Sequence, residues 1–579
     1  MDNRRLFLFA ALIMVAFLIY QAWMQDYGPK PPPPTAQTST ATTAAAAASA
    51  AVPEIPAAPG SASVAIAPAV KPAVTPTPQV SAAPVGEPIE VRTDLLDVTI
   101  NTAGGALQRA ELRDYPEELH KPARVKVLDS EPADLMVAQS GLQTHSGPVA
   151  PSDTALYTAS QTQYQLPLGQ DSLAVTLSWK SPTGLTVDKI YTFHRGSYQV
   201  DLRYEVHNAS TQAWSGAAYA QFESRYNVDL PHGFFASMFS VHRYDYQRMA
   251  LDGSGGYQQY EFKDVADKPV NVTSTGGWTS VVTLYFLSAV IPGDQNASNL
   301  YYARSLGDGR YLVGTIGALK TVAAGASASF ADKFYLGPKL QTLLPQVAPG
   351  LQLTVDYGKF TIIAEPLFKL LNFLHRLVGN WGWAIILLTV LVKLVFFPLN
   401  QVAFRSMAKM RAAQPRIKAL QERYKDEKQK LAQAQMEFYK KEKINPLGGC
   451  LPMIIQLPIF FALYYVLVYS VELRQQPWIL WIHDLSAPDP YFILPILYGL
   501  VLLVQYHIQP QMTTDRTQQR IMKFAPAIFA VFYAVFPSGL VLYYFPNSIL
   551  TIGQQWWINR RYDVEGKRHQ KDKALKPKK

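Results

Sequence analysis

The chain has 579 residues, 49% hydrophobic and only 17% charged, with a formal net charge of +10. Its single cysteine, Cys450, excludes an internal disulfide and, lacking a nearby His, is not read as a catalytic nucleophile. The apolar residues are segregated into runs at 6–23, 381–397, 451–471, 491–508, 524–536 and 540–558, which excludes a soluble single domain and predicts a polytopic α-helical membrane protein with six spans.

Residues 1–5 carry Arg4 and Arg5 and read as a cytoplasmic N-terminus. The first span, 6–24, is long for a signal-peptide core, and no small-x-small site follows it directly. It is therefore read as an uncleaved anchor. Residues 25–90 are almost wholly Pro, Ala, Thr, Ser and Val, too poor in large apolar side chains to bury a core, and predict a disordered periplasmic linker. From 91 to 357 the pattern alternates. Ser172-Leu-Ala-Val-Thr-Leu-Ser-Trp179, Leu185-Thr-Val-Asp-Lys-Ile-Tyr-Thr-Phe193 and Tyr198-Gln-Val-Asp-Leu-Arg-Tyr-Glu-Val206 are separated by Gly/Pro turns, as expected of an antiparallel β-sandwich domain. Gly104-Gly105 and Ser254-Gly-Gly256 lack the strand-to-helix context of a phosphate loop, and the histidines show no metal spacing. The domain reads as structural or docking.

Residues 358–380 switch to helical period. Leu367, Leu370, Leu371, Leu374, Leu377 and Val378 share one face, and Glu365, Lys369, Asn372 and Arg376 the other, predicting an interfacial amphipathic helix. In the second span, 381–400, stands Lys393, the only charged residue in any of the six runs. It lies roughly 18 Å from Trp381 and a similar distance from Arg405 along a straight helix. That places it near mid-membrane, where a charge costs at least about 2.5–3.5 kcal/mol. The competing reading is that the lysine snorkels to the cytoplasmic interface. Its stem reaches only about 6 Å, and 398–404 carries no charge.

Residues 401–447 hold 12 Lys/Arg against 5 Asp/Glu, with Met407, Met410, Ile417, Leu420, Tyr424, Leu431, Met436, Phe438 and Tyr439 at helical spacing. They predict a cytoplasmic helical hairpin, kinked or restarted at Pro415. The third span (448–471), a periplasmic loop (472–490), the fourth span (491–509), a cytoplasmic loop (510–522), the fifth span (523–537), the sixth (540–558) and a basic tail (559–579) follow. The tail holds 9 Lys/Arg against 3 Asp/Glu, and the positive loops all fall on one side, so both termini are expected in the cytoplasm. The fifth run has only 13 residues, 524–536, or roughly 20 Å, and is expected to thin the bilayer around it.

No His-Glu-x-x-His, Walker loop, Gly-x-Ser-x-Gly or paired intramembrane carboxylates occur. No enzyme activity, cofactor, metal or small-molecule substrate is expected. What the spans offer is Lys393 with scattered polar groups: Thr389, Gln456, Gln505, Asn547, Gln554 and Tyr543-Tyr544. These read either as interhelical glue or, together, as the lining of a half-open wet groove giving polar segments of a client a path into the membrane. A small-anion transporter or channel using Lys393, and a scaffold anchoring the outer domain, are the alternatives.

The segments Asn380-Trp-Gly-Trp383, Ser406-Met-Ala-Lys-Met-Arg411, Asn445-Pro-Leu-Gly-Gly-Cys450, Trp481-Ile-His-Asp-Leu-Ser486 and Phe536-Pro-Ser-Gly-Leu-Val-Leu-Tyr-Tyr544 make the chain recognisable. It resembles the YidC family of membrane protein insertases in its long Gram-negative form. The resemblance implies a bacterial inner-membrane insertase and folding chaperone, with a five-helix core forming a hydrophilic groove closed on the outer side. Lys393 falls where the family keeps its groove cation, often arginine; lysine lacks the bidentate fork. Thr389 and Tyr544 match groove-lining positions, and Gln456 is assigned with them to client contact. Phe397 and Phe404 stand where some relatives carry tyrosine. The third and fifth spans would supply an apolar slide, with Phe460, Phe461, Phe529 and Phe532. Implied partners are nascent membrane proteins, the ribosome, the Sec translocon and the phospholipid bilayer, with no specific nucleic-acid sequence.

Overall fold

The structure is a computed structural model that describes residues 86–226, 247–424, 427–442, 451–508 and 516–574. The expected anchor at 6–24, most of the expected linker, the 443–450 segment with Cys450 and the last five residues of the tail lie outside the described residues. The chain divides into two compact units, with the break between Val355 and Asp356.

In the first unit the described strands form two sheets, one of eleven strands and one of nine. The linker ends earlier than composition suggests. Pro88–Arg92 is already a strand, paired with Leu96–Asn101, because Ile89 and Val91 point into the core on alternate positions. The same strand pairs in parallel with Gln163–Gln165, so the expected wholly antiparallel sandwich carries one parallel ladder. Ser172–Lys180, Leu185–His194 and Gln199–Asn208 are consecutive antiparallel neighbours where the alternation placed them. Leu185–His194 buries every second side chain, which is why it was legible. Trp214–Arg225 is buried along both faces and shows no such alternation. Two of its polar residues are satisfied internally: Gln221 donates to Gln139 (2.8 Å) and accepts from the Tyr302 hydroxyl (2.5 Å), and Glu223 accepts from Gln139 (2.8 Å) and Arg310 (3.2 Å).

The sheets meet through Trp214 against Phe330 and Phe222 against Phe334, edge-on at 5.8 and 5.7 Å. Between them lies a fully buried lysine. Lys189 donates from Nζ to the carbonyls of Gly104 (2.8 Å) and Ser140 (3.1 Å). The rings of Tyr157, Tyr191 and Tyr204 stand 5.4–5.6 Å from the ammonium. Gly105, at φ +59°, passes so close that a Cβ there would sit 3.0 Å from the Lys189 stem. The glycine pair thus closes the sandwich over a buried cation.

The second unit is helical. Helix α1 (Thr361–Val378) leads through Gly379, at φ +68°, into α2 (Trp381–Val395). Next come α3 (Phe397–Arg423) and α4 (Lys428–Lys441), then α5 (Leu451–Tyr469), α6 (Ile493–Ile508), α7 (Arg516–Tyr533) and α8 (Ser538–Ala574). Helix α1 is amphipathic but two-sided. Ala364, Phe368, Leu371 and Leu374 are buried in packing against α2 and α5, whereas Ile362, Phe373, Leu377 and Val378 are exposed. Of the expected apolar face, Leu371 and Leu374 are buried within the unit, whereas Leu377 and Val378 are exposed. The hairpin is present, with Met410, Ala413 and Ile417 of α3 packed on Phe438 and Tyr439 of α4. Helix α3 runs on through Pro415, so of the two expected outcomes, a kink or a restart, the restart does not occur. The proline sits on the exposed side of α3, where the carbonyl its ring orphans can meet solvent. The tail does not begin a new element after the last apolar run: α8 continues without a break to Ala574, roughly 55 Å in all.

Among the described residues, no single helix is both long and apolar enough to cross a membrane alone. Only α2 with the start of α3 reaches that length, as a pair bent by 65°. The helix expected to run straight through 381–400 is thus broken after Val395. Pro398, the second residue of α3, has no N–H to give and its ring meets the carbonyl four residues back, so the helix ends and restarts at a new angle. The helices nevertheless wear apolar side chains outward. On α6, Ile493, Ile496, Leu497, Leu500 and Val504 form one exposed stripe at helical spacing. Large exposed apolar stripes of this kind are lipid- or partner-facing.

Candidate functional site

The site is built where α2, α5 and α8 converge. Asn380 caps α2, its side-chain oxygen accepting from the N–H groups of Gly382 (2.9 Å) and Trp383 (3.2 Å) while its amide donates to the Pro477 carbonyl (3.1 Å). Gly382 is seated against Trp478; a Cβ there would lie 2.2 Å from the indole. Trp381 stacks on His375 at 4.0 Å. The Asn-Trp-Gly-Trp segment thus fixes the start of α2 against the 470–492 loop and with it the azimuth of Thr389 and Lys393.

That loop is held in turn by two carboxylates. Asp484 accepts from the N–H of Gln475 (3.1 Å) and from the N–H and hydroxyl of Ser486 (2.8 and 2.6 Å). Asp489, almost fully buried, accepts from the N–H groups of Tyr491 (3.0 Å) and Leu494 (2.7 Å) at the start of α6. The start of α8 is laced to the same loop. Ser538 donates its N–H to Ala487 (2.7 Å) and its hydroxyl to Asp484 (2.8 Å), and the Gly539 N–H donates to Leu485 (2.9 Å). One end of the helical unit is therefore closed by backbone hydrogen bonds.

At the other end stands Lys393, in the last turn of α2 rather than midway along a straight span. The 65° bend removes the collinear path to Arg405 on which the mid-membrane depth rested. Lys393 is half-buried, and its Nζ donates to the Thr551 hydroxyl of α8 at 2.6 Å. Among the described residues it has no carboxylate partner. Exposed Leu391, Leu394 and Val395 surround it in sequence. Four residues earlier Thr389 is buried; its hydroxyl donates to Ile385 (2.8 Å) and lies 3.4 Å from the Tyr543 carbonyl. Gln456 of α5 reaches the Tyr543 hydroxyl at 3.5 Å. Lower on α8, Gln554 donates to the Phe397 carbonyl (3.3 Å) and leaves its own oxygen buried and unpartnered.

The expected groove residues therefore form two groups. Lys393, Thr551 and Gln554 cluster near the α2–α3 bend, while Thr389, Gln456 and Tyr543 tie three helices together. Tyr544 adjoins the second group through its ring, edge-on to that of Tyr543 at 5.0 Å, and packs its other sides on Phe460 and Tyr533, both at 5.6 Å. The four expected slide residues also divide. Phe461 and Phe529 are exposed. Phe460 and Phe532 instead sit in an aromatic cluster with Tyr533 and Phe536. Thr551 was not singled out from the sequence; its signal was a hydroxyl one helical turn after Asn547 and three residues before Gln554.

Two family models match the chain: the YidC periplasmic domain over residues 88–370 and the 60Kd inner membrane protein over 373–566. The membrane protein insertase YidC of Nitrosococcus oceani is 44% identical over 575 residues, covering 98% of this chain and all of the relative. That of Thioalkalivibrio sulfidiphilus is likewise 44% identical, over 578 residues with the same coverage. The chain belongs to the YidC family of membrane protein insertases. An active YidC insertase crystal structure with its first transmembrane domain resolved aligns over 81% of this chain and 94% of that one, at 18% identity and a TM-score of 0.37. Membership rests on the sequence relatives. The family assigns this chain to the inner membrane as an insertase, with the β-sandwich as its periplasmic domain and nascent membrane proteins as its substrates.

Proposed function

We propose that the insertase works through a groove in which Lys393 attracts acidic or polar residues of a client's translocated segment. The observation that carries this reading is a half-buried ammonium, held by one hydroxyl and, among the described residues, without a carboxylate partner, beside exposed apolar neighbours. An ammonium carries three donors, so after Thr551 two are left for a client. A client carboxylate entering the bilayer unpaired costs at least about 2.5–3.5 kcal/mol, and pairing with Lys393 offsets part of it. The net driving force is burial of the client's apolar helix in lipid, at roughly 25 cal/mol per Å². No nucleotide is needed for that step.

In this reading six spans place both termini in the cytoplasm, as the Lys/Arg-rich segments favour. The laced 470–492 loop then seals the outer end, and the bent end of α2 opens to the cytoplasm. Exposed Phe461 and Phe529 serve as slide, while Phe460 and Phe532 support it from behind. The hairpin and basic tail meet the ribosome and the incoming chain, and the Sec translocon shares some clients. Photo-crosslinkers at 393, 461 and 529 tested on a stalled nascent membrane protein check this arrangement. Crosslinks from 393 to the translocated segment and from 461 and 529 to the spanning helix are expected. Crosslinks from 393 to lipid alone overturn it.

A further inference from the structure

We propose that Thr551 is the positioning residue that holds the Lys393 ammonium inside the groove, and so sets how strongly the insertase favours clients with acidic translocated segments. This rests on the groove-charge reading above and adds a second residue to it. Thr551 is half-buried on α8, one turn after Asn547. Its hydroxyl donates to the Asn547 carbonyl at 2.6 Å, the back-bond that Ser and Thr make within helices. The single hydroxyl proton is thereby committed, and the lone pairs are left for the Lys393 Nζ, also at 2.6 Å. The contact has one polarity and cannot reverse.

The need for such an anchor follows from where Lys393 stands. It is the third residue from the end of α2, so the helix terminus is only about 3 Å further along the axis. A flexible lysine stem spans that distance and carries its ammonium out to the interface when nothing holds it. The α2–α3 bend makes the exit shorter still, because the chain beyond Phe396 turns away instead of extending the span. Thr551, contributed by a different helix, decides between the two positions. It leaves two ammonium donors free and adds no negative charge, so it fixes the cation without neutralising it. A carboxylate at 551 would fix it and cancel it.

The test uses the full chain in proteoliposomes with two versions of one client, differing only in whether the translocated segment carries acidic or neutral polar residues. Thr551→Val is expected to slow insertion of the acidic client about tenfold more than it slows that of the neutral client. Thr551→Ser, which keeps both hydrogen bonds, is expected to insert both clients as the parent does. Lys393→Ala is run beside them. If Lys393→Ala fails on the acidic client while Thr551→Val equals the parent, the anchor role is refuted and the groove-charge reading stands. If Thr551→Val slows both clients equally, Thr551 is a packing residue and the proposal is refuted. If Lys393→Ala equals the parent on both clients, the groove-charge reading falls and the anchor role with it.

Discussion

The buried lysine of the periplasmic domain makes a stability prediction with a definite sign. Burial between the sheets pushes the Lys189 ammonium down from 10.5 to about 7, opposed by Asp153. Between those two values the unfolded chain binds the proton and the folded chain does not, so stability rises with pH from about 7 toward 10.5. At about 1.36 kcal/mol per pH unit, the ceiling over that window is about 5 kcal/mol, and between pH 7 and 9 about 2–3 kcal/mol. The two carbonyl bonds and three ring faces favour the charged form and reduce it. Asp332, nearly fully buried on Ser327–Pro338, is pushed the other way by burial, up to about 7, opposed by the Gly293 N–H and Lys320. Below that value the folded chain holds a proton that the unfolded chain releases, so stability falls as pH rises from about 4 to 7. The two groups together give the domain a shallow minimum near neutrality. The assay is pulse proteolysis of the detergent-solubilised full chain at graded urea, from pH 5 to 9, comparing parent, Lys189→Met and Asp332→Asn. Lys189→Met should flatten only the alkaline rise and Asp332→Asn only the acid limb. An unchanged alkaline rise in Lys189→Met refutes the assignment.

Two further substitutions test how the groove is held. Gly382→Ala places a Cβ within 2.2 Å of the Trp478 ring and should cost about 1–3 kcal/mol as overpacking, read as a lower thermal midpoint with the sandwich unaffected. Asp484→Ala removes the acceptor of three hydrogen bonds around the 470–492 loop. It should destabilise the helical unit by about 2–3 kcal/mol and raise hydrogen exchange at Leu485 and at the start of α8, whereas Asp484→Asn should fall in between.

Much of this architecture was legible, and the exceptions have physical causes. The 172–208 strands declare themselves because one face is buried and the other is not. Trp214–Arg225 is buried on both, so Gln221 and Glu223 disguise a central strand as a polar segment. Pro88 to Glu90 read as linker because a five-residue strand at the end of a Pro-rich tract carries too little pattern. The bend at Phe396 had its signal in Pro398, but the apolar run continues through it to Phe397, and hydropathy alone reads a straight span. The break puts Lys393 in the last turn of α2 rather than midway along one straight helix. The groove cation itself was visible as the single charge in an apolar run. Its partner was not, because Thr551 lies 158 positions away and only the packing of α2 on α8 brings the two together. Tyr544 was legible as a polar residue in a span, but only the aromatic packing places it beside Phe460 rather than in reach of Lys393.

The central claim is that Lys393 acts on clients through its charge, and a charge swap tests it most directly. Insertion in proteoliposomes is measured for Lys393→Glu and the parent, each with a client whose translocated segment is acidic and with the same client made basic. The account predicts that Lys393→Glu loses the acidic client and gains the basic one. Equal insertion of both clients by both proteins would contradict it.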